Sequence, residues 1–248
     1  MRAGLTMLIL SVATFAQTAK FEVTSVKINP RPVGPDYNNQ LIISSSRFVG
    51  RNATLRRLIA EVHGVQLNQV VGPRWLDESE YDIEARAEND VSSERLHSML
   101  QRLLADRFRL REHMERRTMR TYELVVDKGG PKVAPVSEGA PTTPTRGFRF
   151  RGGMRELADL IAIQLTIPTP TDPTRPAIGG GPPPPVLDKT NLVGVYDFDV
   201  DIRPEPGSDP FTLWQRFAQE RLGLKLQSRR GEVPIVVVDG ADRTPTAN

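Results

Sequence analysis

The chain has no cysteine in its 248 residues. Disulfides, thiolate metal sites and cysteine nucleophiles are therefore excluded, and a fold made in an oxidising compartment must hold through burial alone. Histidine is scarce. His63, His97 and His113 stand far apart, with neither H-x-x-x-H nor H-E-x-x-H spacing, so the common zinc motifs are missing. Charge of one sign is lacking as well: 33 Lys and Arg oppose 30 Asp and Glu, for a net +3. The two signs are interspersed, without the one-signed stripe that grips nucleic acid, so no nucleic-acid partner is expected. Lysine is rare, 6 residues against 27 arginines, a bias that fits genome composition better than a phosphate-binding surface.

Long apolar runs are also missing, apart from one at the start. MRAGLTMLILSVATFA, residues 1–16, carries Arg2 and then an apolar stretch from Leu5 to Ala16. That stretch is too short to span a bilayer but suits the core of a secretory signal. Thr14 and Ala16 are small enough for positions −3 and −1 of a signal-peptidase site, which predicts cleavage between Ala16 and Gln17. A buried N-terminal helix is the alternative. Loss of Arg2 leaves +3 − 1 = +2 on the mature chain. No later stretch is apolar enough to anchor, so the mature protein is expected to be soluble, without a membrane span, in the periplasm or outside the cell.

What is present is a pattern written twice. NATLRRLIAEVHGV (52–65) places Leu55, Leu58, Ile59 and Val62 on one helical stripe, with Asn52 or Thr54 as cap and Gly64 at its end. GGMRELADLIAIQL (152–165) repeats the scheme. YDIEARA (81–87) and YDFDVDI (196–202) alternate apolar and charged residues as half-buried strands. A second helix follows each, through Leu96, Met99, Leu100 and Leu103 in one copy and Phe211, Trp214, Phe217 and Ala218 in the other; Asp209-Pro210 opens the latter. The exits RFRLR and RLGLK lead to apolar closing strands, TYELVVDKGG and VPIVVVDGA.

The expected fold is α+β: two tandem copies of a small helix-strand-helix-hairpin module with mixed or antiparallel sheets. The first module is placed at 17–127 and the second at 148–240. Residues 128–147, rich in Pro, Gly and Thr, form the expected linker. Residues 166–186 hold 8 of the 21 prolines and are expected as a disordered insertion, with 241–248 as a flexible tail.

FVGRNATLRRLIAEVHGV, GPRWLDESEYDIEA, MLQRLLADRFRLREHMERRTMRTYELVVDKGGPK and LDKTNLVGVYDFDVDI together resemble a secreted protein family of unknown function, abundant in acidobacterial soil bacteria. The resemblance runs from Phe21 to about Val238. Each half is also similar, by element order and LLADRFRL, to the secretin and TonB short N-terminal domain, a small envelope module that binds other proteins. The resemblance implies a location and a fold; the family has no established activity.

The candidate chemistry is sparse. A calcium loop starting at Asp197 needs glycine at 202 and a bidentate Glu at 208; the chain has Ile202 and Ser208. Asp197, Asp199 and Asp201 project in parallel from one strand, roughly 6.5–7 Å apart, and are expected on a solvated face rather than converging as an acid/base pair. Serines 44–46 lack a nucleophile elbow, and GGG at 179–181 lacks the Lys-Ser/Thr of a phosphate loop. No catalytic residue, cofactor or metal is expected. The one cluster that suggests a partner is Arg109, Arg111, Arg116, Arg117 and Arg120, with Arg102 and Arg107, against Asp106, Glu112 and Glu115; it spans a helix end and a hairpin. The expected function is a non-catalytic extracytoplasmic module that binds an envelope protein or polymer. The alternative is a secreted hydrolase with an unrecognised site.

Overall fold

The structure, a computed structural model, describes residues 20–29, 40–137, 148–165, 184–202 and 208–247. In chain order its elements are β1 (Val23–Ile28), β2 (Gln40–Ile43), β3 (Arg47–Thr54), α1 (Leu55–His63), β4 (Val70–Val71), β5 (Glu80–Arg86), α2 (Ser93–Phe108) and β6 (Arg111–Val126). They continue with β7 (Phe148–Gly152), α3 (Met154–Gln164), β8 (Val186–Asp188), β9 (Tyr196–Val200), α4 (Pro210–Phe217) and β10 (Leu224–Gly240). The fold is α+β. From β3 to β6 the order is strand, helix, strand, strand, helix, strand, and β7 to β10 has the same order.

The helices start where the sequence offers caps. Thr54 accepts from the Arg57 N–H at 3.3 Å, Ser92 from Arg95 N–H at 3.2 Å and Asp209 from Thr212 N–H at 3.0 Å, each contributing about 1 kcal/mol. Gly64 ends α1 with a left-handed φ of 58°. Arg109 after α2 and Gly223 before β10 take the same conformation, φ 48° and 67°. A side chain at Gly223 would collide with the Gly130 carbonyl oxygen.

One sheet runs β1-β5-β3-β2, entirely antiparallel. A second runs β4-β10-β6-β8, and β7 pairs with β9 alone among the described residues. The centre of the molecule is the β6–β10 pair, antiparallel from Leu224↔Val126 to Val238↔Glu112. At about 3.4 Å per residue this ribbon is roughly 50 Å long. Two short parallel strands flank it at equivalent places: β4 sets Val70 against Val236, and β8 sets Val186 against Tyr122. The residues Val236 and Tyr122 are 236 − 122 = 114 apart, as are Gly223 and Arg109.

Here the structure differs from the expected hairpins. Each closing segment is one long strand, and each crosses into the other half's core. Tyr122 and Leu124, from the first half of the sequence, pack with Leu157, Ile161, Phe198 and Phe217. Val236 and Val238, from the second half, pack with Leu55, Leu58, Ile83 and Phe108. The physical reason lies in β6 itself. REHMERRTMRTYELVV contains no Gly, Pro, Asn or Asp, so it has none of the residues a tight reversal uses.

The expected linker is structured over its first part. Val133 packs on the second core, and Val136 N–H donates to the Val195 carbonyl at 2.7 Å. That bond matches Asn29 N–H to the Glu80 carbonyl, 2.8 Å, at the end of β1. Val136 is thus tied to the residue just before β9, as Asn29 is tied to the first residue of β5. Val186, expected within the proline-rich insertion, is fully buried in β8. Residues 241–247, expected as a loose tail, are held to the first core: Asp242 N–H donates to Phe108 C=O at 2.6 Å and Thr246 N–H to Arg107 C=O at 2.8 Å, while the Tyr81 hydroxyl donates to the Arg243 carbonyl at 2.7 Å. The expected signal segment with Ala16 and Gln17, residues 138–147 of the expected linker and 166–183 of the expected insertion lie outside the described residues.

Candidate functional site

The strand YDFDVDI alternates as predicted, with Tyr196, Phe198 and Val200 buried. Phe198 is stacked on Phe150 of β7, ring centroids 5.7 Å apart. The opposite face is less wet than expected at one position. Asp197 is only 13% exposed, because Arg149 and Arg151 of the neighbouring strand reach its two oxygens at 2.8 and 3.0 Å. Its carboxylate is committed to a cross-strand charge clamp. Among the described residues no group of three or more His, Asp or Glu side chains is arranged to hold a metal ion.

The five arginines singled out in the sequence are spread along the ribbon. Arg109 sits at the end of α2 and pairs with Asp242 at 3.5 Å. Arg111 opens β6 opposite Gly240. From there to Arg120 is nine residues of strand, about 30 Å, so the five do not form one patch. Arg117 points to one face and pairs with Glu115 at 2.7 Å. Arg116 and Arg120, at even positions, share the other face.

Pairing with β10 adds two residues that no motif or spacing singles out. Arg230 lies directly opposite Arg120, and Arg229 directly opposite Thr121. Arg229 leans to Glu123 at 3.7 Å. The two faces of the waist therefore differ. On one, Arg117 and Arg229 are neutralised by Glu115 and Glu123; on the other, Arg116, Arg120 and Arg230 surround a single acid, Glu232 opposite Thr118. All three arginines are exposed, and none forms an ion pair among the described residues. Burial holds the phenol of the neighbouring Tyr122 above its ordinary pKa. Like charges directly opposite across a strand pair destabilise it.

A concavity lies where α1 and α2 face α3. Its outer part, about 580 Å³, is edged by Glu61, Glu94, His97, Arg155, Glu156 and Asp159. Glu61 and Asp159 also edge an inner chamber of about 200 Å³, walled by Ala60, Val65, Leu67 and Ile163. Gln66 holds the two halves together there. Its Nε2 donates to Asp159 Oδ1 at 2.7 Å, and its Oε1 accepts from Val186 N–H at 2.9 Å. Arg155 spends its Nη2 on the Gly64 carbonyl, 2.6 Å away. Burial, more than any other cause, pushes the Asp159 carboxyl above its ordinary pKa, and Glu156 and Glu61 add to it; the Gln66 hydrogen bond and Arg155 act against. Behind the cleft, His63 Nε2 meets Glu112 Oε1 at 2.7 Å, both side chains largely covered. Sequence reading missed this site because Gln66 and Asp159 are 93 residues apart and neither carries a motif.

A family model described as "Protein of unknown function (DUF3738)" matches residues 56–241, three quarters of the chain. The chain belongs to this family. The match covers the second core, the ribbon, the cleft and most of the first core, whose members Phe21, Val26, Phe48, Ala53 and Leu55 precede it. No curated protein and no solved structure matches the chain. Among the described residues no helix is long and apolar enough to cross a membrane.

Proposed function

We propose that the protein is a non-catalytic binding module of the bacterial cell envelope, exported by its N-terminal segment, and that it takes an anionic protein or polymer on the waist of the ribbon. The observation that carries this reading is the Arg120–Arg230 pair beside Arg116: three exposed cations converge on one face while the opposite face balances its own charges. An anionic partner relieves the cross-strand repulsion, so binding is favoured by the same geometry that costs the free protein stability.

The tandem reading belongs to the same proposal. The halves are two copies of one small module, similar to the secretin and TonB short N-terminal domain, that have exchanged closing strands. Supporting it are the repeated element order, the two left-handed caps at Arg109 and Gly223, the flanking parallel strands β4 and β8, and the matched bonds of Asn29 and Val136.

Two variants of equal charge change test the waist. Arg120→Gln with Arg230→Gln removes two converging cations; Arg117→Gln with Arg229→Gln removes two paired ones. On immobilised heparin, a sulfated polyanion, the first is expected to elute at clearly lower salt than wild type, and the second close to it. Equal shifts would show that net charge, and not this face, governs binding. For the address, N-terminal sequencing of exported protein is expected to begin at Gln17; an intact Met1 in the exported fraction would contradict it.

A further inference from the structure

The inner chamber between α1 and α3 has a composition that neither the ribbon nor the fold accounts for. Arg57 on α1 lines it, and its Nε is buried with no hydrogen-bond partner among the described residues. Glu61 stands one turn further along α1, within ordinary pairing reach of Arg57, yet it turns instead to His97, 3.4 Å away. Asp159 faces them from α3 and has Gln66 as its hydrogen-bond donor, with no ion pair among the described residues. A buried donor left without a partner costs free energy, as does crowding two carboxylates in a partly dry space. Both costs fall on the same chamber, and the rest of its wall is mostly aliphatic, Ala60, Val65, Leu67, Ala162 and Ile163, with the amides of Gln66 and Asn68 between them.

A ligand that meets all of this carries an anionic group, a cationic group and a short apolar body within a few bonds of one another. We infer that the chamber binds a free α-amino acid with an aliphatic side chain, its carboxylate on the Arg57 guanidinium, its ammonium between Glu61 and Asp159, and its side chain against Val65, Leu67 and Ile163. The chamber's volume of about 200 Å³ is below the range of about 300–1,000 Å³ typical of drug-sized sites, which suits a molecule of this size. Because the walls come from both halves, occupancy also ties α1 to α3.

The test is calorimetric titration of the full chain with L-valine and L-leucine, beside isoamylamine, which lacks the carboxylate, and 4-methylpentanoate, which lacks the amine. Saturable binding of an amino acid is expected, with each analogue weaker by about tenfold or more, since each loses one charge-assisted contact. Arg57→Gln and Asp159→Asn are each expected to weaken binding by about the same factor, while thermal melts confirm that both variants fold. No saturable binding up to about 10 mM, weaker than any useful site, would overturn the inference. So would equal affinity for leucine and isoamylamine, or variants that fold and bind like wild type.

Discussion

Tyr122 lies in the first half of the sequence, yet its ring stacks on Phe211 of α4, with centroids 4.6 Å apart and planes at 29°. Truncating each to alanine, singly and together, measures whether β6 truly completes the second core. Tyr122 is 7% exposed, so Tyr122→Ala is expected to cost about 3–5 kcal/mol, as for other emptied aromatic sites. Phe211 is half-buried, which brings its cost to about half of that. Stacked aromatic pairs couple by about 0.5–1.5 kcal/mol beyond their burial, so the double variant is expected to be less destabilised than the sum by that amount. The control cycle joins Tyr122→Ala to Leu58→Ala, because Leu58 is fully buried in the other core; those two costs are expected to add within about 0.5 kcal/mol. Urea denaturation of the variants, compared at unchanged slope, supplies every value. Coupling to Leu58 and none to Phe211 would refute the exchange of strands.

Phe198→Ala is expected to cost about 3–5 kcal/mol, because the ring is fully enclosed between Phe150 and Tyr196; Asp199→Asn is expected to stay within about ±0.5 kcal/mol. Denaturation curves that reverse this order would show the aspartates to be a site. His113, on exposed β6, lies between Asp239 at 2.9 Å and Glu115 at 3.0 Å, and these partners, Asp239 foremost, raise its pKa above the ordinary histidine value. A folded-state pKa raised above the unfolded one adds stability below the unfolded value and loses it as pH rises through the folded one. NMR titration is expected to find the His113 pKa above that of a model histidine, and lower in Asp239→Asn; no change in that variant would contradict the geometry.

Much of the fold was legible because local rules determine it. The stripe Leu55, Leu58, Ile59 and the alternation Tyr196, Phe198, Val200 each fix which face is buried, and Thr54 and Asp209 mark where helices begin. Strand partnership is different. Alternation in TYELVV says which side chains turn inward but not whose core they enter, and only the lack of turn residues in β6 hinted at a long strand. The arginine reading suffered for the same reason. Arg116 and Arg120 were visible, whereas Arg230 joins them only through a register across β10. In the cleft, Asp159 looks like any polar helix residue until Gln66 and Arg57 are brought beside it from the other half.

The β6–β10 register is the claim on which the exchanged cores and the arginine waist both rest, and the absence of cysteine makes it directly testable. Thr118 and Glu232 stand opposite each other, and both are exposed. Cα atoms so placed lie about 4.5–5.5 Å apart, within disulfide reach. Thr118→Cys with Glu232→Cys is expected to close an intramolecular disulfide under mild oxidation, seen by mass spectrometry as the loss of two hydrogens from a monomer that still melts cooperatively. Two free thiols in the folded, oxidised monomer, as separate hairpins in each half would leave them, would contradict the account.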